Sequence, residues 1–164
     1  GGTLYSPFLV KNYLEPETNT IIKSVTAQNK GTIIKKETSN LVKYALESVV
    51  AKGSGHNAYI ENYRIGGKTG TAQIARGGKY LKKYISSFIG FVNDDKGNSY
   101  TIGVTVMNPN STGKHWYYYY ASWSAVPVFK EIVQNLVKLN YLSPKDGIIP
   151  GEVMPKEGTF LEKE

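Results

Sequence analysis

The stretch Arg64-Ile65-Gly66-Gly67-Lys68-Thr69-Gly70-Thr71-Ala72-Gln73 decides how this chain is read. It sets a lysine between small residues, beside two hydroxyls, in a segment with strand character. Period-2 alternation puts Lys68 and Gly70 on one face, Thr69 and Thr71 on the other. Glycine weakens a strand interior, so Gly66, Gly67 and Gly70 imply that something approaches the backbone closely. On an edge strand, the free N–H and C=O groups can pair with an extended peptide as an added strand. Lysine supplies a compact positive charge, and threonine hydroxyls donate to a carboxylate. A backbone N–H near Thr71 can hold a developing oxyanion. The plain alternative is a turn with a solvated lysine. A phosphate-binding loop fits poorly: position 62 is Asn62 where that motif needs glycine, and Ala72-Gln73-Ile74-Ala75-Arg76 runs into Gly77-Gly78 instead of a helix.

Downstream, residues 85–92 and 100–107 give two more strand signals. Phe88, Gly90 and Val92 share one face and Ile89 and Phe91 the other, which predicts a sheet covered on both sides. The intervening Asn93-Asp94-Asp95-Lys96-Gly97-Asn98 is a turn signal, so these strands form an antiparallel hairpin. Upstream, Leu41, Tyr44, Ala45, Ser48 and Val49 recur at helical spacing, with Thr38 or Ser39 as cap and Gly53 as stop. Gly53-Ser54-Gly55 then opens a loop. Residues 124–139 predict a second helix with Ser124 as cap and Pro127 in its first turn. Its apolar stripe is Ala125, Val128, Phe129, Ile132, Val133, Leu136 and Leu139. Phe8-Leu9-Val10, Ile21-Ile22 and Thr32-Ile33-Ile34 read as short strands or extended loop. Residues 1–142 thus form one mixed α+β domain, followed by a polar tail over 143–164. Three strands are few for such a sheet, which hints at a missing piece.

The chain has 164 residues, enough for a single domain with a real core. Its 40% hydrophobic content and 13 tyrosines argue against disorder. No run approaches the roughly 20 apolar residues of a membrane-spanning helix, and no signal peptide is evident. A start at Gly1-Gly2 reads as a processed chain or a fragment. Zero cysteines exclude disulfides and thiolate metal sites, and two lone histidines make a poor metal site, so no metal or cofactor is expected. The net charge of +7 fits either solubility or contact with a polyanion. His56 and His115 sit in loops, and no Gly-x-Ser-x-Gly elbow exists, which argues against a Ser-His-Asp triad. The run Trp116-Tyr117-Tyr118-Tyr119-Tyr120 reads as a loop packed on the core, with stacking on sugars or nucleobases as the other reading.

Taken together, these segments resemble the C-terminal part of the transpeptidase domain of class B (monofunctional, division-type) penicillin-binding proteins. Five segments carry the likeness, in the family's order. They are Gly1-Gly2-Thr3-Leu4-Tyr5-Ser6-Pro7; Leu46-Glu47-Ser48-Val49-Val50 with Gly53-Ser54-Gly55; residues 63–73 with Lys68-Thr69-Gly70; Ser87-Phe88-Ile89-Gly90-Phe91; and Ala125-Val126-Pro127-Val128-Phe129-Lys130-Glu131-Ile132. The likeness runs to about Leu139, and it departs from the family where Tyr119-Tyr120-Ala121-Ser122-Trp123 replaces a frequent Gly-Gly pair.

The resemblance implies the penicillin-binding protein/serine β-lactamase-like fold, an antiparallel sheet flanked by helices, here lacking the N-terminal strands and nucleophile helix. The family's site uses Ser-x-x-Lys, Ser-x-Asn and Lys-Thr-Gly. Only the third stands here in family position; Ser111-Thr112-Gly113-Lys114 follows it and reads as coincidence. The resemblance gives Lys68 and Thr71 catalytic roles, Thr71 through its backbone N–H. It gives Thr69, Gly70, Thr71 and Gln73 roles in binding the donor peptide or a β-lactam, and makes residues 77–84 a loop overhanging the groove. The implied whole is a peptidoglycan D,D-transpeptidase on the extracytoplasmic face of the bacterial inner membrane, its anchor outside this chain. Implied partners are the enzyme's N-terminal portion with the nucleophilic serine, stem peptides, β-lactams, and the division or elongation machinery, with no nucleic acid. The fragment alone is expected to be inactive. The alternative is a non-catalytic basic module that binds wall polymer or nucleic acid.

Overall fold

Two strong turns build the central sheet. In a computed structural model describing residues 1–144, β5 (Arg64–Arg76), β6 (Lys79–Asn93) and β7 (Ser99–Met107) pair antiparallel in the order β5-β6-β7. The β6–β7 turn is held by Asp94, whose Oδ1 accepts the N–H groups of Lys96 and Asn98 at 2.9 and 2.8 Å. Such an Asx-type closure is what aspartate offers a turn. Between β5 and β6 the chain reverses through Gly77 and Gly78, at φ of 59° and 73°. Two successive left-handed residues make a tight primed turn matched to strand twist.

This second turn corrects the expected loop over residues 77–84. Those residues belong to an ordered hairpin, and β6 begins six residues before the expected start. A bulge interrupts the arm, because pairing jumps from Gln73–Tyr84 to Ala75–Tyr80.

One face of the sheet carries Ile65, Phe88, Val92 and Val104, all buried. Against it lies α2 (Ala125–Lys138), which buries Ala125, Val126, Phe129 and Val133 along one stripe. Phe88 and Phe129 meet edge-to-face with centroids 4.9 Å apart. Pro127 sits in the first turn of α2, where its missing N–H costs no helical bond. Ser124 holds the cap position without capping through its side chain; its Oγ donates to Tyr120 O at 3.1 Å.

The other face departs from the two-sided cover expected. The preceding helix, α1 (Lys36–Lys52), reaches it at Gly66 through the backbone of Glu47. Beyond that, Ile89 and Met107 are 63% and 64% exposed. Helix α1 also starts before Thr38 and Ser39: the Ser39 N–H already bonds Lys35 O at 3.0 Å, so neither residue is its cap. Glu37 in the first turn suits the positive helix end.

Two compact units are distinguished, residues 1–41 and a second unit beginning at Val42. Within the first, β1 (Thr3–Tyr5) pairs with β4 (Asn29–Thr32), and β2 (Asn12–Leu14) with β3 (Ile21–Ser24). Of the expected short strands, Ile21-Ile22 falls in β3, whereas Phe8-Leu9-Val10 is not in a strand. Most of the polar tail predicted over 143–164 lies outside the described residues.

Candidate active site

Strand β5 is the sheet edge, with no strand on its outer side among the described residues. Its register sets the faces: Lys68 pairs with Ile89 and Gly70 with Ser87, while Thr69 pairs with Phe88 and Thr71 with Ser86. Lys68 is exposed, and its Nζ donates to Thr69 O at 2.9 Å.

The three glycines answer to different neighbours. A Cβ on Gly67 would collide with the Phe88 ring, and one on Gly66 with the Phe91 ring and the Glu47 backbone. Gly70 has nothing nearer than Ser87 at 3.9 Å. The close approach inferred for Gly66 and Gly67 is therefore by the protein's own core, and only Gly70 leaves the backbone open to a ligand.

Ser54 joins the site from outside the expected set. Its Oγ lies 2.8 Å from Thr69 Oγ1. The N–H groups of Gly53 and Gly55 both bond Val49 O, at 3.0 and 3.1 Å, which curls the chain back after α1 and presents Ser54 to β5. The Gly-Ser-Gly loop was visible in the sequence; its contact with a threonine fifteen residues later was not.

Thr71 and Gln73 have further structural duties. Thr71 Oγ1 accepts the Ala121 N–H at 3.3 Å. Gln73 Nε2 donates to Leu81 O at 2.9 Å across the bulge. Nearby, the Ser86 hydroxyl donates to Tyr119 O, and Asn57 Nδ2 to Ser122 O at 2.7 Å. The aromatic segment is thereby pinned beside the end of the Lys-Thr-Gly strand. Its Tyr119 phenol is pushed up to about 12, first by the hydrogen bond with Tyr120 and then by burial.

At the other end of β5, Arg64 grips Glu47 through Nε and Nη2, each at 3.0 Å, tying the strand to α1. The arrangement offers a cation, a hydroxyl pair and an open strand edge, groups that bind an extended peptide and a carboxylate. Among the described residues, the hydrogen-bond partner of Ser54 is another hydroxyl and not a base that would activate it.

Comparison with known proteins agrees with this geometry. Residues 1–134 match the family described as penicillin binding protein transpeptidase domain. Stage V sporulation protein D of Bacillus subtilis is 49% identical over 113 residues, covering 68% of this chain and 17% of that protein. Probable peptidoglycan D,D-transpeptidase PenA of Neisseria flavescens is 32% identical over 124 residues, 74% of this chain and 30% of that protein. Among solved structures, penicillin binding protein 3 of Mycobacterium tuberculosis in complex with ampicillin superposes with a TM-score of 0.65 at 25% identity, covering 90% of this chain and 34% of that one. The transpeptidase domain of penicillin-binding protein 3 from Burkholderia pseudomallei gives 0.58 at 31% identity, covering 94% and 40%. The chain thus spans less than half the length of each of these proteins.

Proposed function

This chain belongs to the penicillin-binding protein transpeptidase domain family, and from that premise we propose that it forms one wall of a peptidoglycan D,D-transpeptidase site. The observation that carries the reading is Lys68-Thr69-Gly70 on an exposed edge strand, with the Ser54 hydroxyl against Thr69. A donor stem peptide lies along β5 as an added strand. Thr69 binds its carboxylate, beside the open backbone of Gly70 and the amide oxygen of Gln73. Lys68 supplies positive charge, and the Thr71 N–H holds the oxyanion as the tetrahedral intermediate forms.

The nucleophilic serine belongs to the N-terminal portion of the whole enzyme. Its hydroxyl attacks the carbonyl of the stem's last peptide bond. That bond breaks, the terminal amino acid takes up the proton and leaves, and an ester acyl-enzyme remains. An amine of a second stem then attacks the ester, forms the cross-linking amide and returns the serine hydroxyl. Residues 1–142 are the transpeptidase portion and 143–164 a polar tail. The site faces the extracytoplasmic side of the membrane, where peptidoglycan is cross-linked, and acylates with β-lactams; for the latter, support comes from a neighbour solved with ampicillin. A division-type role remains the reading of choice over elongation, and the Bacillus relative is named for sporulation.

Labelling with a fluorescent penicillin tests this reading. The isolated chain should not label, the chain joined to its N-terminal portion should, and Lys68→Ala should abolish that label. Covalent labelling of the isolated chain, or unchanged labelling of Lys68→Ala, overturns it.

A further inference from the structure

The chain has two tryptophans, Trp116 and Trp123, and they are 60% and 51% exposed. Both belong to one aromatic cluster. Tyr117 meets Trp116 and Trp123 edge-on at 5.8 and 5.2 Å, and Tyr119 stacks between Tyr84 and Tyr120 at 4.6 and 4.2 Å. Tyr120 is also exposed. The inner rings pack, while Trp116, Tyr120 and Trp123 remain exposed. Three bonds fix the backbone beneath them: Thr71 to Ala121, Ser86 to Tyr119, and Asn57 to Ser122. The shelf is therefore held before any ligand arrives, which lowers the entropic cost of binding.

Its charge setting is one-sided. The β5–β6 arm carries Arg76, Lys79, Lys82 and Lys83, and Tyr84 of that arm stacks on Tyr119 of the shelf. Neither residues 62–93 nor residues 96–130 contain a single Asp or Glu. Exposed rings beside these cations suit a polymer of sugar rings that carries acidic peptide stems: apolar C–H faces of pyranoses lie on the rings, and carboxylates of the stems, or of sugars stripped of them, meet the lysines.

We infer that Trp116, Tyr120 and Trp123, with the cations of the β5–β6 arm, form a subsite for the glycan strand whose stem peptide enters along β5. This rests on the transpeptidase reading and extends it from the peptide to the sugar chain. Nucleic acid has the same elementary chemistry, but the shelf is hydrogen-bonded to Thr71, on the strand that takes the peptide. A glycan covalently joined to that peptide is the ligand the position favours.

The test uses the complete transpeptidase carrying this chain. Acylation rates are compared for a free stem pentapeptide and for the same peptide on an uncross-linked glycan strand. Binding of peptide-free glycan strands is followed by tryptophan fluorescence and calorimetry. The wild type should prefer the glycan-linked substrate and bind the bare glycan. Trp116→Ala, Trp123→Ala and the pair Lys82→Glu/Lys83→Glu should each cut that preference and that binding about tenfold, the usual effect of losing an anchoring ring or charge. No preference in the wild type, an unaltered preference in the tryptophan variants, or tighter binding of single-stranded nucleic acid than of glycan overturns the inference. Failure of the wild type to react with penicillin overturns the transpeptidase reading itself, so the two failures are distinct.

Discussion

A Cβ built on Gly67 runs into the Phe88 ring and comes within 2.9 Å of Gly90 Cα, whereas one built on Gly70 meets nothing closer than Ser87 at 3.9 Å. Substitution should separate the two residues. Gly67→Ala overpacks the junction of β5 and β6 and should cost about 1–3 kcal/mol, read as a lower urea midpoint. Gly70→Ala should stay within about 0.5 kcal/mol of wild type, because its methyl enters open space. On the proposed peptide placement that methyl would crowd the bound stem, and a misplacement of this size should slow acylation by about tenfold to a hundredfold. A Gly70→Ala protein that unfolds early yet acylates normally when folded would reverse this assignment. Three glycines in one motif look alike in sequence; only the structure separates core contact from ligand space.

The elements differ in how openly the sequence announced them. Asp94 and Gly97 marked the β6–β7 turn, whereas the stripe expected for α2 holds only in part: Ala125, Phe129 and Val133 are buried, Val128, Ile132 and Leu139 are exposed, and Val126, left out of it, is buried. Burial leaves a pattern, and pattern is what sequence reading detects. Residues 79–84, Lys-Tyr-Leu-Lys-Lys-Tyr, lie where the hairpin arm is largely exposed, so they carry no clean alternation and read as a loop. The hydroxyl pair Ser54–Thr69 is a tertiary contact with no local spacing to betray it. The turn itself makes a pH prediction. The hydrogen bond from the Asn98 side chain, joined by backbone N–H bonds from Ser143, Asn98 and Lys96, outweighs desolvation and holds the Asp94 carboxyl below its ordinary 3.8. A depressed folded value means the stabilisation is complete above the ordinary value and lost as pH falls through the folded one. Amide exchange at Lys96 and Asn98 should therefore lose protection only below about pH 4, where carboxylates titrate. Asp94→Asn should abolish that acid step; if the step persists, another carboxyl governs it.

At the scale of the whole molecule, the surface is unfinished. The outer side of β7 carries no partner strand among the described residues, and Ile89 and Met107 stand open on the face away from α2. An uncovered edge beside apolar residues is a liability that folded proteins normally cover. The relatives are several times longer than this chain, which spans 17% and 30% of two of them. A longer protein of the kind these relatives represent would supply cover for this surface, and the expected arrangement is a strand beside β7 with Ile89 buried. Burying one such side chain is worth about 1.5–3 kcal/mol, enough to make the joined protein more stable than the isolated chain. Alone, the chain should bind a hydrophobic dye and exchange its β7 amides quickly. Joined to its N-terminal portion, it should lose the dye and slow those amides at least about tenfold, the factor that follows from 1.4 kcal/mol. The amides on the outer edge of β5 should stay fast in both forms if the proposed peptide, and no strand of the protein, takes that edge. If β5 were protected and β7 not, the missing strands would lie on the substrate side, and the peptide could not add to this sheet.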